Sequence, residues 1–188
     1  MADVIALILA AGQGRRFGSD KRRALLTDGR GLLATCVAQA RQVFDAVWVV
    51  LREDDDPAVL GLPADQPVIR CADAQQGMGH SLAAGVQVLL GRPESALAVL
   101  LGDMPWIDPA SLRQLVQASD AEHIVFPLHR GQRGHPVLFG RQHWSALTQL
   151  HGDQGAKAVL AAHESAWRAI SLDDPGVLRD VDTPQALG

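Results

Sequence analysis

Three apolar runs constrain this chain most: VIALILA at Val4–Ala10, AVWVVL at Ala46–Leu51 and ALAVLL at Ala96–Leu101. None approaches the ~20 residues needed to cross a bilayer. None alternates with polar residues, as a strand with one wet face does. They suit strands buried on both faces, the mark of a parallel sheet covered by helices. Shorter strand patterns fall at Pro67–Arg70, Ile124–Pro127, Pro136–Phe139 and Ala166–Ile170. Helical patterns lie between them, at Leu32–Val43, Ser81–Leu90, Pro109–Ala118, Gln142–Leu150 and Ala156–His163. Asp108-Pro109 and Thr183-Pro184 carry helix-start chemistry, and Gly91 followed by Pro93 carries a stop. Strand and helix in alternation predict an α/β fold. The expectation is a single Rossmann-like domain over residues 1–188, with a mostly parallel sheet and helices on both faces. No repeat or low-complexity tract interrupts it, and the acidic run Glu53–Asp56 reads as a solvated loop.

Composition narrows the function classes. The net charge of -4 makes a nucleic-acid partner unexpected, and no segment points to a membrane. A secretion signal places positive charge before its apolar segment, whereas here Asp3 precedes it and Arg15 and Arg16 follow it. A cytoplasmic location is therefore expected. Cys36 and Cys71 have no metal-ligand spacing and read as small buried apolar residues. Of 17 basic residues only Lys21 and Lys157 are lysine, the compact point charge rather than the planar fork.

In such sheets, ligands sit outside the carboxyl ends of strands. After the first strand comes Ala11-Gly12-Gln13-Gly14-Arg15-Arg16-Phe17-Gly18. A dinucleotide fingerprint needs glycine where Phe17 stands. An ATPase-type loop needs Gly before Lys21 and Ser or Thr after it. Both fail on spacing, yet Gly12 and Gly14 let amide groups approach a ligand, and Arg15, Arg16 and Lys21 add positive charge. Phosphate is the functional reading, and a solvated turn with incidental arginines is the bland one. After the third apolar run, Gly102-Asp103-Met104-Pro105 puts a carboxylate at a strand end. There it suits Mg²⁺, which takes a few hard oxygen ligands from protein and the rest from phosphate and water. A turn cap is the alternative.

LAAGQGRRFGSDK followed by LGDMP resembles the nucleotidyltransferases built on one Rossmann-like domain. QGMGHSLAAGV, FPLHRGQRGHPVLF, GDQGAKAVL and DVDTP resemble the molybdenum cofactor cytidylyltransferase branch, close to the guanylyltransferases. The segments run from Leu9 to Pro184. The resemblance implies the nucleotide-diphospho-sugar transferase type of fold. It implies that Leu9, Ala10, Ala11, Gly12 and Gly14 hold the nucleotide, with Arg16 and Lys21 on the triphosphate. Gly79 and Ser81 would contact base or ribose; Ser81 also reads as a plain helix N-cap. Asp103 would bind Mg²⁺, with Asp182 as second ligand and Asp180 the alternative, because DTPQAL lacks the family's acidic residue after the proline. Gly134, His135 and Pro136 would face the pterin. Lys157 reads either as a pterin-phosphate contact or as a solvated side chain.

The implied reaction is attack of the terminal phosphate of molybdopterin on the α-phosphate of CTP, releasing pyrophosphate. Product would pass to a molybdoenzyme or its chaperone. The nucleophile is already ionised, so none of the seven histidines is assigned a catalytic role. Ala11, where guanylyltransferases tend to have glycine, favours CTP. Gln13 for serine, and Arg22 and Arg23 after Lys21, depart from the family pattern. Other readings are a transferase using GTP or acting on another small phosphorylated substrate, and an accessory protein that binds nucleotide or cofactor without turnover.

Overall fold

The computed structural model describes residues 3–12, 17 and 19–187. Its strands are β1 (Val4–Leu9), β2 (Ala46–Arg52), β3 (Val68–Cys71), β4 (Ala96–Leu101), β5 (Ile124–His129), β6 (Gln132–Arg133), β7 (Val137–Gly140) and β8 (Trp167–Ser171). One mixed sheet runs β3-β2-β1-β4-β7-β5, and β5 also pairs with β6 and β8. The β3-β2-β1-β4 half is wholly parallel, β7 is antiparallel to both β4 and β5, and β8 is parallel to β5.

The all-apolar runs are explained by where they lie. β1 is central, with Ile8 beside Val49 of β2 and Leu100 of β4. Its Ala6 and Ile8 point into one core, while Ile5, Leu7 and Leu9 point into the other. The first core is covered by α1 (Leu32–Ala40) and α3 (Pro109–Ala118), through Leu33, Val37, Leu112 and Leu115. The second is covered by α2 (Met78–Leu89), α4 (Trp144–Leu147) and α5 (Lys157–Ala162), through Leu82, Val86, Leu147 and Leu160. The expected α/β domain is observed, with helices on both faces. No helix of the described residues is long and apolar enough to cross a membrane.

Three elements differ from expectation. The helix expected over Gln142–Leu150 becomes a 3-10 turn, Arg141–His143, and the four-residue α4. Two side chains bend the chain there. The buried Trp144 indole donates to Phe139 O at 2.9 Å, and His143 Nε2 lies 2.8 Å from Glu122 O. Helix α2 starts at Met78, so Ser81 is inside its first turn rather than its cap. The preceding Gly77 has φ 125°, a conformation side chains rarely adopt. The two-residue β6 is too short for a periodic pattern to reveal.

Candidate active site

A cleft of about 590 Å³ opens at the carboxyl ends of the parallel strands. The end of β1 supplies Leu9, Ala10, Ala11 and Gly12, and the end of β4 supplies Gly102 and Asp103. The segment after β3 and the start of α2 supply Ala74, Gln75, Gly77, Met78 and Ser81. Gly102 N–H donates to Leu9 O at 3.0 Å, locking the two central strand ends together. The chain returns to this place at its C-terminal end. Asp174 accepts from Gly176 N at 2.8 Å and Asp108 N at 3.0 Å, pinning the return segment beside α3. Val181, fully buried, donates to Asp103 O at 2.9 Å. Asp180 and Asp182 are thereby held at the cleft, although Asp103 lies far away in sequence.

Carboxylate oxygens of Asp103, Asp180 and Asp182 lie within 4.8 Å of one another. Lys21 enters the same space from a 3-10 turn (Lys21–Arg23). Its Nζ is 2.7 Å from Asp103 Oδ2, 3.1 Å from Val181 O and 3.6 Å from Asp182 Oδ1. The other Asp103 oxygen, Oδ1, is buried with no partner. A buried carboxylate oxygen without a donor is costly. Three hard oxygen donors with one such orphan suit a Mg²⁺- or Mn²⁺-type cation whose remaining ligands come from phosphate and water.

Arg22, next to Lys21, is 4% exposed. Its guanidinium donates to both Asp20 oxygens, at 2.8 and 2.6 Å, to Asp55 Oδ1 at 2.7 Å and Oδ2, and to Ala10 O at 2.8 Å. Burial alone would lower the Arg22 pKa, but the two aspartates hold it above its usual value. The hydrogen bond from Arg22 holds Asp20 below the usual carboxylate range. Burial pushes Asp55 up, and the hydrogen bonds and charges of Arg22 and Arg52 more than reverse that. Asp55 was expected in a solvated loop. It is instead a buried-side anchor of the site, because the arginine that departs from the family pattern needs a second carboxylate.

A smaller cavity, about 170 Å³, adjoins the cleft and shares Leu101 and Asp180 with it. Arg133, Gly134, His135, Met104, Val177 and Leu178 complete it. His135 N–H donates to Val177 O at 2.8 Å. A Cβ on Gly134 would strike that same carbonyl, so only glycine fits there. Burial, helped by Arg133, lowers the His135 pKa against the opposing pull of Asp103 and Asp180, favouring the neutral ring.

The cleft thus brings together Leu9, Ala10, Ala11, Gly12, Lys21, Ser81, Asp103 and Asp182 of the expected residues. Gly134 and His135 line the adjoining cavity. Pro136 is buried behind it and lines neither space. Gly79 also lines neither: its N–H donates to Gly152 O at 2.7 Å, and a Cβ would come within 2.6 Å of His151 O. Its place is packing beneath that loop. Lys157 is exposed at the start of α5 and lines neither space. Gly14 and Arg16 lie outside the described residues. Sequence reasoning assigned no site role to Gln75, Asp153 or Arg22, which line the cleft, or to Arg133, which lines the adjoining cavity. Only Arg22 carried a signal, as a charge directly after Lys21 where an apolar residue was expected.

A model described as the MobA-like NTP transferase domain matches residues 6–166. Purine catabolism protein PucB of Bacillus subtilis is 28% identical over 97% of this chain and 93% of its own length. A probable molybdenum cofactor guanylyltransferase of Chloroflexus aggregans is 35% identical over 90% of this chain and 79% of its own. Bifunctional protein GlmU of Mycolicibacterium vanbaalenii is 32% identical over 75% of this chain, which spans 30% of GlmU. Among solved structures, Rv0371c of Mycobacterium tuberculosis superposes with a TM-score of 0.86 at 26% identity, covering 98% of this chain and 95% of that one. A structure of Rv0371c in complex with manganese gives 0.82 at 25% identity, covering 98% and 95%.

Proposed function

Because the chain is a nucleotidyltransferase of the MobA-like NTP transferase family, we propose that it transfers CMP from CTP to the terminal phosphate of molybdopterin. The observation that carries the transferase chemistry is the juxtaposition of Lys21 with three clustered carboxylates, one with an orphaned buried oxygen. Leu9, Ala10, Ala11, Gly12 and Ser81 hold the nucleotide. The adjoining cavity with Gly134 and His135 receives the pterin.

The acceptor phosphate oxygen attacks the α-phosphorus of the nucleotide. A new P–O bond forms, the bond to the β-phosphate oxygen breaks, and pyrophosphate leaves with the electron pair. Catalysis here rests on positioning and charge neutralisation. Asp103, Asp180 and Asp182 would hold Mg²⁺. When bound, the cation neutralises phosphate charge. Lys21, a point charge, stabilises the negative charge that develops on pyrophosphate. No general base is needed, since the attacking phosphate is already ionised. His135, kept neutral, orients the acceptor without repelling a metal cation.

Ala11 lines the cleft, and a methyl where guanylyltransferases tend to have glycine supports CTP over a purine nucleotide. A second reading takes GTP, and the similarity to the probable molybdenum cofactor guanylyltransferase favours it. Initial rates of pyrophosphate release with molybdopterin, Mg²⁺ and each of CTP, GTP, UTP and ATP test both. Fastest release with CTP is expected, and fastest release with GTP selects the second reading. Release only with a sugar phosphate as acceptor would replace molybdopterin. Nucleotide binding without release under any condition would make the chain an accessory protein.

A further inference from the structure

The end of β1 is braced by two arginines that no reaction step above uses. Arg22 donates to Ala10 O at 2.8 Å. Arg52, at the end of β2, donates through Nε to Ala11 O at 3.2 Å and through its terminal nitrogen to Gly12 O. Three successive carbonyls are therefore held by guanidinium groups. In a planar trans peptide the C=O and the following N–H point in opposite directions. Holding the carbonyls of Ala10 and Ala11 thus fixes the N–H groups of Ala11 and Gly12 on the other side.

Those two donors have no partner among the described residues, although Ala11 is 2% exposed. The preceding N–H, that of Ala10, is still paired with Val50 O at 3.0 Å, so sheet pairing stops where the unpaired donors begin. Ala11 and Gly12 both line the cleft. Successive free amides in a concavity form an anion site.

We infer that Arg22 and Arg52 are positioning residues that aim the Ala11 and Gly12 amides at a phosphate of the bound nucleoside triphosphate. The inference rests on the nucleotidyltransferase reading above. The brace is itself braced: Arg22 is locked between Asp20 and Asp55, and Arg70 Nη1 donates to Arg52 O at 3.1 Å. The arginines act through backbone geometry, and only the amides touch the ligand.

Calorimetry with CTP and GTP in the presence of Mg²⁺, on wild type, Arg52→Ala, Arg52→Lys and Arg41→Ala, tests this. Arg41 pairs with Asp65 on the surface, lines neither cavity, and controls for lost positive charge. The expected result for Arg52→Ala is about tenfold weaker triphosphate binding. KM should rise with kcat within about twofold of wild type, the signature of uniform binding lost. Arg52→Lys keeps the charge but lacks the fork that reaches two carbonyls, so it should stay weakened. It also serves if Arg52→Ala folds poorly. Wild-type affinity in Arg52→Lys, or equal losses in Arg52→Ala and Arg41→Ala, would reduce the effect to charge and overturn the inference. Wild type that binds neither CTP nor GTP would overturn the transferase reading, and this inference with it.

Discussion

Asp103 and Lys21 concentrate the chemistry. Both were legible in the sequence, Asp103 from its place after an all-apolar strand and Lys21 as a rare lysine after a glycine-rich loop. Their direct contact was not legible, because it depends on a turn folding back across the strand end. Asp103→Asn should lower kcat/KM at least about 100-fold, the scale of losing a preorganised electrostatic group. Its thermal midpoint should stay near that of wild type, since the Asn carbonyl can still accept from Lys21 and the orphaned oxygen makes no bond to lose. Steady-state kinetics with a melting curve check both; full activity would remove Asp103 from the reaction. Arg22→Ala should cost stability, on the scale of about 3–5 kcal/mol, because Asp20 and Asp55 lose their shared cation. The lower end of that range applies because Asp20 is still 31% exposed. Urea unfolding measures it.

Among the elements, the central strands and the two-sided helix cover followed from apolar pattern alone. The C-terminal return segment did not. Its place is set by Asp174, whose hydrogen bonds reach the backbone beside α3, and by buried Val181 against Asp103. No local periodicity encodes such contacts. Asp174→Ala should cost about 1–3 kcal/mol for the donors left unpaired. It should also weaken Mn²⁺ binding measured by electron paramagnetic resonance, because Asp180 and Asp182 lose their anchorage. Unchanged Mn²⁺ binding would separate the anchor from the carboxylate cluster. Helix α2 lies close on β1 at Gly85, where a Cβ would come within 2.6 Å of Leu7 Cδ2. Gly85→Val should therefore destabilise by about 1–3 kcal/mol through overpacking, readable as a lower thermal midpoint.

Across the whole molecule, the fold gathers residues from both ends of the chain at the carboxyl ends of the central strands. The cleft joins the loop after β1, the turn of Lys21 and the return segment near the C-terminus, so its geometry depends on the fold being complete. Acid should weaken that geometry at the Asp20–Arg22–Asp55 anchor. Both carboxyls are held below their ordinary pKa of 3.8, so the folded state binds fewer protons than the unfolded state there. Their contribution is present above about pH 4 and is lost as pH falls through their folded values. Asp55→Asn should flatten the acid limb of a plot of thermal midpoint against pH. The most direct test of the central claim is ³¹P NMR of wild type and Asp103→Asn with CTP, Mg²⁺ and molybdopterin. The expected spectrum shows pyrophosphate and a new phosphoanhydride linking CMP to the acceptor, growing in equal amounts with wild type and absent with the variant. Orthophosphate alone, no change in CTP, or equal product from both proteins would contradict it.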